Sequence, residues 1–231
     1  MAKKILAFIS GLNASGVDLP PGIRLQNPYS EDPQVMDIAR KFYQKFYNDN
    51  LPRLLILGIN PGRFGGGTTG IPFTDPKRLL SACGIAYEGK ITHEPSSVFI
   101  YDMIHAYGGP EAFYKKYYIN SLCPLTVTIQ NKNGKEINHN YYDSPTLAKC
   151  LENFMVDNIL NQIKLGVRPG VCFCFGTGKN AAFLNKLNCK HHFFDKIVAL
   201  EHPRFIVQYK SKQKNSYIDK YLQAFQEAEQ T

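Results

Sequence analysis

Leu54-Leu55-Ile56-Leu57-Gly58-Ile59-Asn60-Pro61-Gly62 is a short apolar run closed by three turn-forming residues. A run of this length with no polar interruption fits a strand buried on both faces, the kind found inside a parallel sheet. Upstream, Asp32-Pro33 supplies a helix cap and first turn, and Val35, Ile38, Phe42 and Phe46 recur at helical steps. Downstream, further apolar runs stand at Tyr117–Leu122, Val171–Phe175 and Ile197–Leu200. Between them lie helical patterns over Ser97–Tyr107, Leu147–Leu165 and Lys179–Leu187, the first two closed by glycine, and a last helix covers Ser216–Glu229. This alternation predicts an α/β fold, a three-layer α/β/α domain with a mostly parallel central sheet of about four strands. One domain over residues 1–231 is expected, with an N-terminal helical segment of about residues 1–50 packed on it. The polar stretch Asn131–Asp143, which carries Asn133-Gly134, reads as the longest surface loop.

The composition supports a packed core: 44% of the 231 residues are hydrophobic, with 15 Phe and 14 Tyr, and only 20% are charged, which excludes a disordered chain. Twenty-seven basic against 19 acidic residues leave a net charge of +8, which points to a polyanionic partner. The six cysteines form no CxxC pair and no histidine completes a ligand set beside them, so a reduced intracellular, cytoplasmic protein is expected, with no metal and no cofactor. The apolar stretch Ile5–Ile9 after Lys3-Lys4 is too short for a signal peptide, and no run could span a membrane.

In an open parallel sheet the ligand site lies beyond the carboxyl ends of the strands. Those ends are Asn60-Pro61-Gly62, Ser121–Pro124, Gly176-Thr177-Gly178 and Glu201-His202-Pro203-Arg204. Two phosphate-loop readings compete there. Gly65–Gly70 satisfies GxGxxG, but Pro72 and Pro76 follow where a dinucleotide fingerprint needs a long helix, and extended chain is expected instead. Gly176-Thr177-Gly178-Lys179 resembles the end of a Walker loop, yet Phe173 stands where the first glycine belongs and Asn180 where the hydroxyl does.

Taken together, Gly58-Ile59-Asn60-Pro61-Gly62, Gly70-Ile71-Pro72-Phe73, Leu122-Cys123-Pro124-Leu125 and His202-Pro203 occur in an order that resembles the uracil-DNA glycosylase superfamily. The nearest branch is the single-strand-selective monofunctional uracil-DNA glycosylases, in a bacterial subgroup with a shortened second motif. The resemblance covers about residues 54–204 and the closing helix. It implies a glycosylase that flips a deaminated base out of DNA and hydrolyses its N-glycosidic bond. It further implies that Asn60 positions the attacking water and that His202 donates to uracil O2 as charge builds on the leaving base. Phe73 stacks on that base, and backbone amides about Ile59 complete the donors. Such chemistry needs no carboxylate pair, only a held water and donors to the departing base.

Three positions depart from, or vary within, that pattern. Gly62 stands where strictly uracil-specific relatives have a Tyr that blocks thymine's C5 substituent, so open space and tolerance of small C5 groups such as hydroxymethyl are expected. Relatives place an Asn immediately before Leu-Cys-Pro-Leu, whereas Ser121 stands here with Asn120 one residue earlier. Successive strand residues face opposite ways, so only one can enter the pocket, and spacing selects Ser121. A single hydroxyl discriminates less than an amide, which makes other deaminated bases such as xanthine plausible substrates. After His202-Pro203 the helical wedge of relatives is shortened, which favours single strands or mismatches. Arg204 is the candidate for the wedge or a phosphate contact, and Lys210, Lys212 and Lys214 are candidates to grip DNA phosphates. The histidines at 93, 105, 139, 191 and 192 carry no comparable pattern. The expected partner is DNA, with the chain a monomer; the alternative is a catalytically silent nucleic-acid-binding member of the same fold.

Overall fold

The computed structural model describes residues 1–230. In chain order the elements are α1 (Ala2–Ser10), β1 (Ile23–Gln26), α2 (Pro28–Glu31), α3 (Pro33–Phe46), β2 (Arg53–Gly58), α4 (Gly66–Thr69), α5 (Pro76–Ser81), α6 (Pro95–Tyr107), α7 (Pro110–Tyr114) and β3 (Tyr117–Ser121). They continue as β4 (Thr126–Gln130), β5 (Glu136–Asn138), α8 (Pro145–Ile163), β6 (Val167–Phe175), α9 (Lys179–His191), β7 (Lys196–Leu200), α10 (Pro203–Tyr209) and α11 (Lys214–Glu229).

The four apolar runs form one all-parallel sheet in the order β3-β2-β6-β7. Every residue of β2 and β3 is buried, as expected for strands covered on both faces. Register assigns the faces. Tyr117 and Phe173 lie on one, against Phe225 of α11, while Tyr118 lies on the other, edge-on to Tyr47 just after α3. The central sheet therefore sits between helical layers, with α6 and α11 packed together on one side and α1 with α3 on the other. Asp32 caps α3 by accepting from the Gln34 amide, and Asp75 and Ser144 cap α5 and α8 in the same way.

A second, antiparallel sheet of three short strands, β1-β4-β5, was not legible in the sequence. The stretch Asn131–Asp143, expected as a surface loop, instead contributes β5 and the turn joining it to β4. Asn133-Gly134 sits in that turn, with Gly134 at φ 71° and its amide on the Asn131 carbonyl. Three-residue β5 is too short to show alternation, and its strand character comes from pairing with β4. Extended chain across residues 71–76 is also corrected. Ile71–Thr74 is a tight turn, closed by the Thr74 amide on the Ile71 carbonyl at 3.1 Å.

Candidate active site

Three of the four strand ends of the parallel sheet, those of β2, β6 and β7, open toward one cavity of about 520 Å³. Ile59, Asn60, Gly62 and Phe73 line it from the β2 side, Gly176–Asn180 from the β6 side, and His202 and Arg204 from the β7 side.

Asn60 follows β2 directly, and its amide is held at both ends. Its Nδ2 donates to the His139 carbonyl at 3.1 Å, and its Oδ1 accepts from the Tyr141 amide at 3.2 Å. Tyr141 is itself fixed: its hydroxyl lies 2.7 Å from Asn180 Oδ1, and Asn180 Nδ2 donates to the Phe175 carbonyl at 3.1 Å. A chain of buried polar contacts thus runs from the end of β6 through Asn180 and Tyr141 to Asn60. These bonds leave Asn60 Oδ1 one lone pair and Nδ2 one hydrogen for a water or sugar.

Phe73 has φ 54°, a left-handed conformation uncommon for a residue of its bulk. The turn is held there by Thr69, whose Oγ1 donates to the Thr74 carbonyl at 2.6 Å and accepts from the Ile71 amide at 3.1 Å. Such strain costs about 1–3 kcal/mol and persists only where surroundings enforce it. The ring lies over Gly58, where a Cβ would come within 2.9 Å of it, and its centroid is 5.7 Å from that of His202. Gly58 is therefore required by the close approach of this ring.

His202 caps α10: its Nδ1 accepts from the Arg204 amide at 3.1 Å. That bond requires Nδ1 to be unprotonated, so a neutral ring carries its hydrogen on Nε2. Burial, with the positive charge of Arg204 beside it, pushes the imidazole down to about 4. At neutral pH the ring is an uncharged donor at the cavity.

Register places Ser121 opposite Gly58, on the sheet face shared by Phe73's contact and Phe175. Asn120 points to the other face. Its Nδ2 donates to the Tyr118 hydroxyl at 2.7 Å and its Oδ1 accepts from the Ser121 amide at 2.8 Å. Asn120, the neighbour that spacing passes over in favour of Ser121, thus has its amide engaged away from the cavity. Neither residue reaches the cavity lining and both are buried, so the expectation that Ser121 enters the pocket is corrected as well.

A further correction concerns Gly62. The space beside Gly62 is not open: a Cβ there would lie 2.9 Å from Glu94 Oε1, and one at Gly65 would lie 1.8 Å from Glu94 Oε2. Gly62 and Gly65 thus make room for a carboxyl, and the helix that follows, α4, has only four residues. Lys214 forms a half-exposed ion pair with Asp102 of α6 at 2.7 Å. Lys210 and Lys212 lie beyond the cavity lining, whereas exposed Arg204 is part of it. Exposed Phe205 and Tyr209 sit on the same rim with ring centroids 5.6 Å apart.

Several lining residues carried no sequence signal: Glu94, Asn138, His139 and Tyr142. Three of them belong to the stretch read as a loop. A hairpin assignment there would have brought them to the strand ends, while Glu94 reaches the site only through tertiary packing.

A family model of the uracil DNA glycosylase superfamily matches residues 44–226. No curated protein matches the chain. Among solved structures, wild-type SMUG2 from Pedobacter heparinus is similar at 57% identity and a TM-score of 0.97, over 100% of this chain and 98% of that one. The strand-end motifs, the cavity they build and these matches agree, and the chain belongs to the uracil-DNA glycosylase superfamily.

Proposed function

We propose that this chain is a monofunctional DNA glycosylase that releases uracil, and other deaminated or C5-substituted bases, from DNA to leave an abasic site. One observation carries the reading: a clamped amide, a strained aromatic and a neutral imidazole converge on one cavity at the carboxyl ends of a parallel sheet. Asn60 holds a water against C1′. As the C1′–N1 bond breaks, the sugar gains oxocarbenium character and the base departs as an anion, to which His202 Nε2–H donates at O2. An imidazole that is neutral above about pH 4 suits this role, since no proton has to be supplied before reaction. Phe73 stacks on the flipped base and Gly62 borders its C5 side. Arg204, Lys179 at the first turn of α9 and the neighbouring Lys210 and Lys212 provide positive charge for phosphates flanking that base.

The test is release of free base from a uracil-containing oligonucleotide, followed by alkali to reveal abasic sites. Lys179 is the lysine in the cavity lining, its Nζ 5.9 Å from the Tyr142 ring centroid. Borohydride trapping is therefore run in parallel. The expected result is uracil release, alkali-dependent strand breakage and no trapped covalent complex. Binding without release is the outcome expected of a catalytically silent family member, and a trapped complex that disappears in Lys179→Ala contradicts monofunctional chemistry.

A further inference from the structure

We propose that Glu94 is a specificity-determining residue that presents a carboxyl group to the C5 edge of a flipped pyrimidine, or to the equivalent N7 edge of a flipped purine. The inference rests on the reading above, in which Gly62 borders that edge. Glu94 comes from the residue preceding α6, and its carboxyl is seated against the backbone of Gly62 and Gly65. It lines the same cavity as Asn60, Phe73 and His202. Its Oε2 is buried with no hydrogen-bond partner among the described residues. A buried carboxyl oxygen without a partner is costly in a folded protein unless it serves something that binds. The glycines at 62 and 65 are what admit it, so the loop is built around this side chain.

The surrounding charges favour the neutral acid. Asp75, at the N-terminus of α5, is buried and bonded to the Glu94 amide, to Ser97 and to Arg78, with His93 Nδ1 3.2 Å from it. Arg204 of α10 lines the same cavity and opposes that charge, and Arg63 stands between Gly62 and Gly65. Burial first and Asp75 second push the carboxyl up to about 7, against the opposing effect of Arg204. Below that pH the group offers an O–H donor, and above it only acceptors.

Different bases meet that edge differently. Uracil brings only a C–H. The hydroxyl of 5-hydroxymethyluracil can pair with either form of Glu94, as donor or as acceptor. The N7 of hypoxanthine or xanthine is an acceptor and pairs only with the protonated acid, a contact that strengthens as negative charge spreads over the departing purine. Glu94 would therefore admit purines and hydroxymethylated pyrimidines to a site that its other residues shape for uracil.

The experiment measures single-turnover excision of uracil, 5-hydroxymethyluracil and hypoxanthine from single strands at about pH 6 and pH 8, for wild type, Glu94→Gln and Glu94→Ala. In Glu94→Ala both ratios, 5-hydroxymethyluracil to uracil and hypoxanthine to uracil, are expected to fall about tenfold, the loss of one well-placed hydrogen bond. In wild type the hypoxanthine ratio falls by a similar factor from pH 6 to pH 8 while the 5-hydroxymethyluracil ratio holds. Glu94→Gln keeps a donor at every pH, so its hypoxanthine ratio is flat. If wild type releases no uracil, the functional reading itself fails. If uracil is released but neither other base is, or if both ratios in Glu94→Ala stay within about twofold of wild type, the role of Glu94 is overturned. An unchanged hypoxanthine ratio across pH in wild type also overturns it.

Discussion

Asn60 and His202 show how little charge this site uses. An amide is a poor base, so its value lies in being held, and both of its ends are bonded to the chain at His139 and Tyr141. His202 is held neutral by burial and by the Arg204 amide on its Nδ1. Replacing His202 by Ala removes a donor to the developing anion and is expected to lower the single-turnover rate by about 10²–10³. The rate for wild type should be flat from about pH 8 to pH 5 and fall only toward pH 4, the reverse of a site that needs an imidazolium. His202 and Glu94 also set opposite slopes on stability. His202 drops from 6.5 to about 4, so as pH falls through that window the unfolded chain takes up a proton that the folded chain refuses, and stability is lost. Glu94 rises from 4.5 to about 7, so as pH rises through its window the unfolded chain releases a proton that the folded chain keeps, and stability is again lost. Thermal denaturation of Glu94→Gln should accordingly show a melting temperature that gains on wild type as pH climbs from 5 to about 7.5. A constant difference would mean that Glu94 is ionised throughout.

Among elements, the parallel strands were legible because each is a short apolar run ended by a turn former, and burial on both faces leaves no alternation to misread. The segment that clamps Asn60 was not. Residues 136–142 are polar, and β5 exists because β4 offers it a ladder, a long-range cause that leaves no local trace. Site residues followed the same division: Asn60, Phe73 and His202 stand in motifs at strand ends, whereas Glu94 and Tyr141 act from elsewhere in the chain. The pleat puts Asn120 and Ser121 on opposite faces, with the Asn120 amide donating to Tyr118, and neither side chain reaches the cavity lining. Tyr141→Phe tests the clamp. It leaves Asn180 Oδ1 buried without its partner, with an expected cost of about 1–3 kcal/mol in denaturant unfolding. The uracil excision rate should fall as well, because Asn60 loses the rigidity of its support. Full activity with that stability loss would separate the clamp from catalysis.

For the whole molecule, the net charge of +8 acts over distance and chooses no base. Affinity for single strands should fall steeply with salt, and Lys210→Ala or Lys212→Ala should each reduce the slope of log K against log salt by about 0.7 if the residue contacts a phosphate. Lys214→Ala, by breaking its ion pair with Asp102, should leave the slope nearly unchanged. The sheet's carboxyl edge is where the fold gathers residues that lie as far apart in sequence as Asn60 and His202. The most direct measurement of this account is the single-turnover rate of uracil release from a single-stranded oligonucleotide by wild type and by Asn60→Ala, with folding of the variant checked by thermal denaturation. The expected result is release by wild type and a loss of about 10²–10⁴ in a folded Asn60→Ala variant. Release at the wild-type rate by that variant would contradict the assignment of the water to Asn60.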